Sequence, residues 1–181
     1  MLPSNSLDYV PMVNNFMNTD NYKAAGVAFT NGLHVLGGYQ PHKKRPSISG
    51  IGGSREVGDK CYMHTALREC IEELFNPLYI PKSLLCKLVT SISPKKVIQT
   101  GDYINVIYSF EDLHLLLKLC KNHRLQSPYY KLLPRTVYEL ITSRIIVESA
   151  EITYLTLLPI LSDVNDLPVS RQFLSDMKTF I

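Results

Sequence analysis

The stretch from Tyr62 to Phe75 limits what this chain can become more than any other. Its apolar residues Met63, Leu67, Cys70, Ile71 and Leu74 recur at the spacing of an amphipathic helix. Asn76-Pro77 ends the run, because the residue before a proline is driven out of helical backbone. At about 100° per residue, Glu69, Glu72 and Glu73 gather opposite the apolar stripe in an arc roughly 100° wide. Like charges at i,i+4, here Glu69 and Glu73, destabilise an isolated helix by about 0.2–0.5 kcal/mol, so the pattern is unfavourable unless a cation sits among the carboxylates. Hard oxygen donors of this kind suit Mg²⁺ or Mn²⁺ rather than zinc. Arg68, one residue before Glu69 and four before Glu72, can hold a carboxylate in place. A solvated acidic helix face would carry the same three glutamates, so the surrounding sequence has to decide.

Upstream of the helix, Gly50, Gly52 and Gly53 precede Ser54-Arg55-Glu56-Val57-Gly58-Asp59. The order is a strand, a glycine-rich turn, a polar loop and then the carboxylate helix. This segment resembles the signature of the Nudix hydrolases: a Gly, five residues, a Glu, seven residues, then Arg-Glu-hydrophobic-x-Glu-Glu-x-Gly-hydrophobic. Here Gly53 is followed by five residues and Asp59, and the core is Arg68-Glu69-Cys70-Ile71-Glu72-Glu73. Asp59 replaces the usual Glu, and eight residues rather than seven separate it from Arg68. Phe75 and Asn76 stand where glycine and a hydrophobic residue are usual. The match covers 24 residues, Gly53 to Asn76.

The resemblance implies an α/β (α+β) fold, a Nudix-type α/β/α sandwich with a mixed sheet. It implies that Glu72 and Glu73 bind Mg²⁺ or Mn²⁺ with help from Glu69. Glu69 doubles as candidate general base and Arg68 orients it. The backbone at Gly52 and Gly53 can approach metal or phosphate because no side chain intervenes. The implied reaction is cleavage of the diphosphate linkage in a nucleoside diphosphate derivative. Asp59, Glu148, Lys44 and Arg45 are secondary candidates: Asp59 by its place in the signature, Glu148 because some relatives draw a further ligand or base from a late segment, and the two cations from the Lys43-Lys44-Arg45 loop. His64 is read as a partner for a neighbouring carboxylate. Glu151 flanks the same late strand as Glu148.

Elsewhere, AAGVAFT and LHVLGGYQ around Asn31-Gly32 read as a hairpin, since Asn-Gly supplies the positive φ that a two-residue turn needs. SISGIGG reads as a short strand running into the glycine turn. LLCKLVTSI and YINVIYSF read as strands joined through Ser93-Pro94-Lys95-Lys96. Glu111 onward turns helical, with Leu113, Leu116, Leu117 and Cys120 on one face, and a second helix is expected over RTVYELITSRII. Residues from about 111 to 145 are thus expected as a helical insertion. EITYLTLLPIL reads as a late strand and VSRQFLSDMKTFI as a terminal helix. Residues 1–22 lack periodicity and read as an N-terminal extension or an added edge element.

At 181 residues the chain is expected to be one domain, 1–181, long enough to bury roughly 70% of its unfolded surface. No apolar run approaches the roughly 20 residues needed to span a bilayer, and the N-terminus lacks a basic segment followed by an apolar block. A cytoplasmic protein is therefore expected. Cys61, Cys70, Cys86 and Cys120 form neither a CxxC pair nor a zinc-ligand cluster and read as reduced thiols. The net charge of +3 does not by itself announce a nucleic-acid binder. The expected partner is a nucleotide-type small molecule. Removal of the cap from RNA is a variant of the same chemistry, favoured by the basic loops and the helical segment; the large DNA viruses carry Nudix proteins of this general kind. The competing reading from another class is a Nudix-fold nucleotide-binding module without catalysis, motivated by the departures at Asp59, Phe75 and Asn76.

Overall fold

The computed structural model describes residues 21–162, 164 and 166–180, so most of the expected N-terminal extension lies outside the described residues. β1 (Ala24–Thr30) and β2 (His34–Gln40) are joined through Asn31-Gly32-Leu33, a three-residue link rather than two. The Asn31 side chain accepts the N–H groups of Leu33 and His34, and Gly32 takes the positive φ of 86°. β3 (Ser47–Ser49) and β4 (Ile51–Ser54) follow, then α1 (Tyr62–Phe75), the expected carboxylate helix.

The next element differs from expectation: α2 (Lys82–Ser91) is a helix where a strand was read. Leu84, Leu85 and Leu88 have helical spacing and are its buried residues, whereas a strand would have buried alternate positions. The strand of this region lies further on, as β5 (Lys96–Thr100), an edge strand forming a hairpin with β6 (Tyr103–Ser109). α3 (Phe110–Asn122) begins in a reciprocal capping box between Ser109 and Asp112. α4 (Val137–Thr142) is shorter than read and starts where the Thr136 hydroxyl accepts the Glu139 N–H. β7 (Tyr154–Pro159) and α5 (Arg171–Met177) complete the described chain.

The seven strands form one mixed sheet, and with the helices they make an α+β fold. β1 runs parallel to β6 over its whole length and antiparallel to β4 over Ala24–Val27. It meets β2 only at Thr30↔Val35, and β2 instead pairs with β3 and β7. Alternation along β6 assigns its two faces. Ile104, Val106 and Tyr108 join the larger core with α1, α2 and α3, and Ile107 joins the smaller core with Phe173, Met177 and Phe180 of the α5 segment. Asn105 has the parity of Ile107 and so lies on the α5 face, beside Gly26 in the parallel register. Among the described residues no helix is long and apolar enough to cross a membrane.

Candidate active site

α1 buries Leu67, Cys70, Ile71 and Leu74 completely, which fixes its rotation and turns Glu69, Glu72 and Glu73 towards β4 and the loop after it. The acidic face is not solvated throughout. Glu73 is only 6% exposed, because β4 lies over it: the Gly52 N–H donates to Glu73 Oε2 at 2.9 Å. Gly52 holds φ at 155°, and a Cβ on Gly53 would fall on the Glu69 carboxylate. Glycine at 53 therefore lets the backbone and the Glu69 carboxylate meet where a larger residue would hold them apart, while a Cβ at 52 would strike the β1 backbone at Gly26.

Arg68 is 7% exposed and ties the site together. It binds Asp59 side-on, with Nε donating to Oδ1 at 3.1 Å and Nη2 to Oδ2 at 3.0 Å. Nη2 also donates to the Ser54 carbonyl at 2.7 Å. Nη1 faces Glu72 Oε2 at 2.8 Å, Glu69 Oε1 at 3.0 Å and Glu56 Oε1 at 3.6 Å. Asp59, itself buried, accepts in addition the Glu56 N–H at 2.9 Å and the Thr65 hydroxyl at 2.9 Å, and pairs with His64 Nδ1 at 3.0 Å. His64 is thus a carboxylate partner, as read. Asp59 is a brace behind Arg68 rather than a member of the open carboxylate face. With one residue more in the loop and one methylene fewer in the side chain than the signature has, the Asp59 carboxylate still reaches Arg68.

The departure after the helix has an equally local cause. Asn76 takes the left-handed conformation at φ 43° and donates its N–H to the Glu72 carbonyl, a place usually filled by glycine and next most readily by asparagine. Phe75 is buried and meets the Tyr130 ring at 5.7 Å. Arg144 closes the helix end: Nη1 donates to the Leu74 carbonyl at 2.6 Å, and Nη2 to the carbonyls of Glu73 at 3.1 Å and Ile152 at 2.8 Å. Its guanidinium lies 4.3 Å from the centre of the Tyr129 ring.

Of the two late glutamates, Glu151 is the one whose charge acts on Glu69 and Glu73. Glu148 stays exposed, and its backbone carbonyl is engaged by His42 at 2.6 Å. Lys44 and Arg45 remain on an exposed loop, while Lys43 acts on the charge of Glu73 and lines a cavity beside Gly52. Gln40 escaped the sequence reading. Its Nε2 donates weakly to Glu73 Oε1 at 3.4 Å and its buried Oε1 has no partner among the described residues. It sits on β2 among residues that read as ordinary strand, and no sequence signal marks it.

Burial raises the pKa of all three glutamates. For Glu73 the rise is large and is reinforced by Glu151; for Glu69, Arg68 opposes it and Glu72 adds to it. Burial would raise Asp59 as well, but the Arg68 guanidinium, the Glu56 N–H and His64 together hold its carboxyl well below the usual range. The site thus divides into a compensated pair, Asp59 and Arg68, and a set of glutamates whose negative charge is under-compensated. Among the described residues no three His, Cys, Asp or Glu side chains form a closed ligand set, and Arg68 Nη1 bridges Glu69 and Glu72. The donor set, carboxylate oxygens short of positive charge beside a side-chain-free turn, nonetheless fits a hard divalent cation.

No protein-family model matches the chain, and neither does any curated protein. Solved structures similar to it include a bifunctional NMN adenylyltransferase/ADP ribose pyrophosphatase of Francisella tularensis, complexed with AMP and Mn ion. The TM-score is 0.47 at 15% identity, over 88% of this chain and 40% of that one. A NUDIX family hydrolase from Clostridium perfringens aligns over 88% of this chain and 96% of its own, with TM-score 0.42 and 16% identity. The Nudix hydrolase RenU from M. smegmatis aligns over 88% and 83%, with TM-score 0.45 and 14% identity. The chain therefore spans about two-fifths of the first of these and most of the other two.

Proposed function

We propose that this chain is a divalent-metal-dependent hydrolase that cleaves the diphosphate linkage of a nucleoside diphosphate derivative, in the manner of the Nudix hydrolases. The observation that carries the reading is the apposition of Glu69 and Glu73 to the Gly52-Gly53 backbone, with Arg68 drawing Glu72 into the same face. Mg²⁺ or Mn²⁺ would be held by Glu69, Glu72 and Glu73, and would supply neutralisation of diphosphate charge and Lewis acidity. The charge of a fourth carboxylate, Glu151, acts on Glu69 and Glu73 as well.

The protein's own groups have separable tasks. Glu69 is the general base: burial raises its pKa towards the range in which a carboxylate removes a proton from water effectively. Arg68 fixes the orientation of that carboxylate through the 3.0 Å contact and is itself held by Asp59. The Gly52-Gly53 turn admits the phosphates to the carboxylates without a side chain in the way. Lys43 offers a positive charge to the substrate's phosphates from the neighbouring loop.

A metal-supplemented panel of nucleotide sugars, dinucleoside polyphosphates, free cap dinucleotides, diphosphoinositol phosphates and capped RNA tests this. Hydrolysis is expected to require Mg²⁺ or Mn²⁺, with Glu69→Gln lowering kcat by about 10²–10⁴ and Glu72→Gln and Glu73→Gln lowering it by orders of magnitude. Turnover retained in folded Glu72→Gln and Glu73→Gln proteins would rule the assignment out. A strong dependence on RNA length and salt would identify capped RNA as the substrate.

A further inference from the structure

On the α5 face of the sheet a cavity of about 390 Å³ opens beside Gly52 and Lys43, the residues that also border the carboxylate site. Its volume suits a nucleoside-sized group. Its polar wall is built rather than incidental. Ser49 and Asn105 are each more than nine-tenths buried, and the Ser49 hydroxyl has no hydrogen-bond partner among the described residues. Asn105 Nδ2 donates to Asp176 Oδ2 at 3.2 Å, and Gln172 Nε2 donates to Asp176 Oδ1 at 2.9 Å. Facing a carboxylate, an amide must present nitrogen, so both donors are turned inward on Asp176 and the amide oxygen of Asn105 remains as an acceptor. Phe173 supplies an apolar wall.

We propose, on the footing of the hydrolase reading above, that this cavity takes the base of the substrate and selects guanine. The wall presents two acceptor groups, the Asn105 amide oxygen and the remaining lone pairs of Asp176, which the hydrogen bond between these residues sets next to each other, with hydroxyls at Ser49, Thr100, Tyr103 and Ser170 around them. The matching ligand edge carries adjacent N–H donors, which guanine has at N1 and its 2-amino group. Adenine and cytosine set a ring acceptor beside their amino group, and uracil flanks its single N–H with carbonyls. Each of these would leave buried acceptors unpaired or opposed, and a site built for hydrogen bonds rejects ligands lacking them. The nucleoside then runs from the cavity past Lys43 to Gly52, which puts the phosphates at the glutamates.

Calorimetric titration of the full chain with GMP, IMP, AMP and UMP tests the idea without reference to turnover. GMP is expected to bind about tenfold or more tighter than AMP and UMP, with IMP, which lacks the 2-amino group, in between. Asp176→Asn puts an amide that can donate where the carboxylate only accepts, without changing shape, and is expected to remove most of the preference for GMP by weakening GMP binding and strengthening that of AMP, whose ring acceptor is then no longer opposed. Equal binding of the four nucleotides, as sugar hydroxyls in the cavity would give, overturns the proposal. So does absence of binding, or a folded variant with the preference of the unaltered protein. Equal kcat/KM on GDP- and ADP-linked substrates defeats the base assignment alone; selective GMP binding without any hydrolysis leaves it standing and defeats the hydrolase reading.

Discussion

Arg68 carries the charge balance of the site, because a single guanidinium touches Asp59, Glu69 and Glu72 while almost wholly buried. Removing the Asp59 charge leaves part of that guanidinium uncompensated in a low-dielectric setting. Asp59→Asn is therefore expected to cost about 3 kcal/mol, read by chemical denaturation. Because the folded state holds the Asp59 pKa below its unfolded value, this stabilisation is full above the ordinary carboxylate range and is lost as pH falls. The denaturation midpoint of the unaltered protein should approach that of the variant at low pH. Glu73 has the opposite sign: its folded pKa is raised above the ordinary 4.5, so its contribution is fully present below that value and declines as pH rises through the folded one. Without a divalent ion, stability should fall on going from pH 5 to pH 8, and Mg²⁺ should raise Tm more at pH 8 than at pH 5. A Tm gain independent of pH would show that the ion does not act on these carboxylates.

At the scale of elements, α1 is positioned from both ends, and the two anchors differ in how visible they were in the sequence. The carboxylate face and the apolar stripe were legible because a helix of 14 residues repeats its pattern several times. The anchor at its C-terminal end was not: Arg144 lies 70 residues from Leu74 and gives no local sign that it will cap that helix. Arg144→Met keeps the bulk but leaves the carbonyls of Glu73, Leu74 and Ile152 without a donor. It is expected to cost at least about 2 kcal/mol in denaturation experiments, and to lower kcat more than it raises KM, since it shifts the helix end that bears Glu73. α2 was misread because β-branched and apolar residues in LLCKLVTSI mimic strand composition, while the deciding feature is the four-residue spacing of Leu84 and Leu88. β5 was missed for the converse reason: an edge strand with no fully buried residue shows no alternation to detect.

For the whole molecule, the sheet separates two tasks. One face seats α1 on the larger core and delivers the glutamates; the other, with the smaller core and α5, forms the cavity where Ser49, Asn105 and Asp176 converge. Gly52 belongs to both, donating to Glu73 and bordering the cavity, so in the proposed hydrolase bond cleavage and substrate choice would meet at a turn without side chains. The glycine and glutamate motif announced the first task in sequence. The second depends on β3, β6 and α5 coming together across more than a hundred residues, which no local pattern encodes. The most direct test of the cation-binding centre is titration of the full chain with Mn²⁺ followed by electron paramagnetic resonance, comparing the unaltered protein with Glu72→Gln and Glu73→Gln. The free-ion signal is expected to be suppressed by the unaltered protein and largely restored in both variants. An unaltered protein that leaves the free Mn²⁺ signal at its buffer value, or variants that suppress it equally, would contradict a cation site on α1.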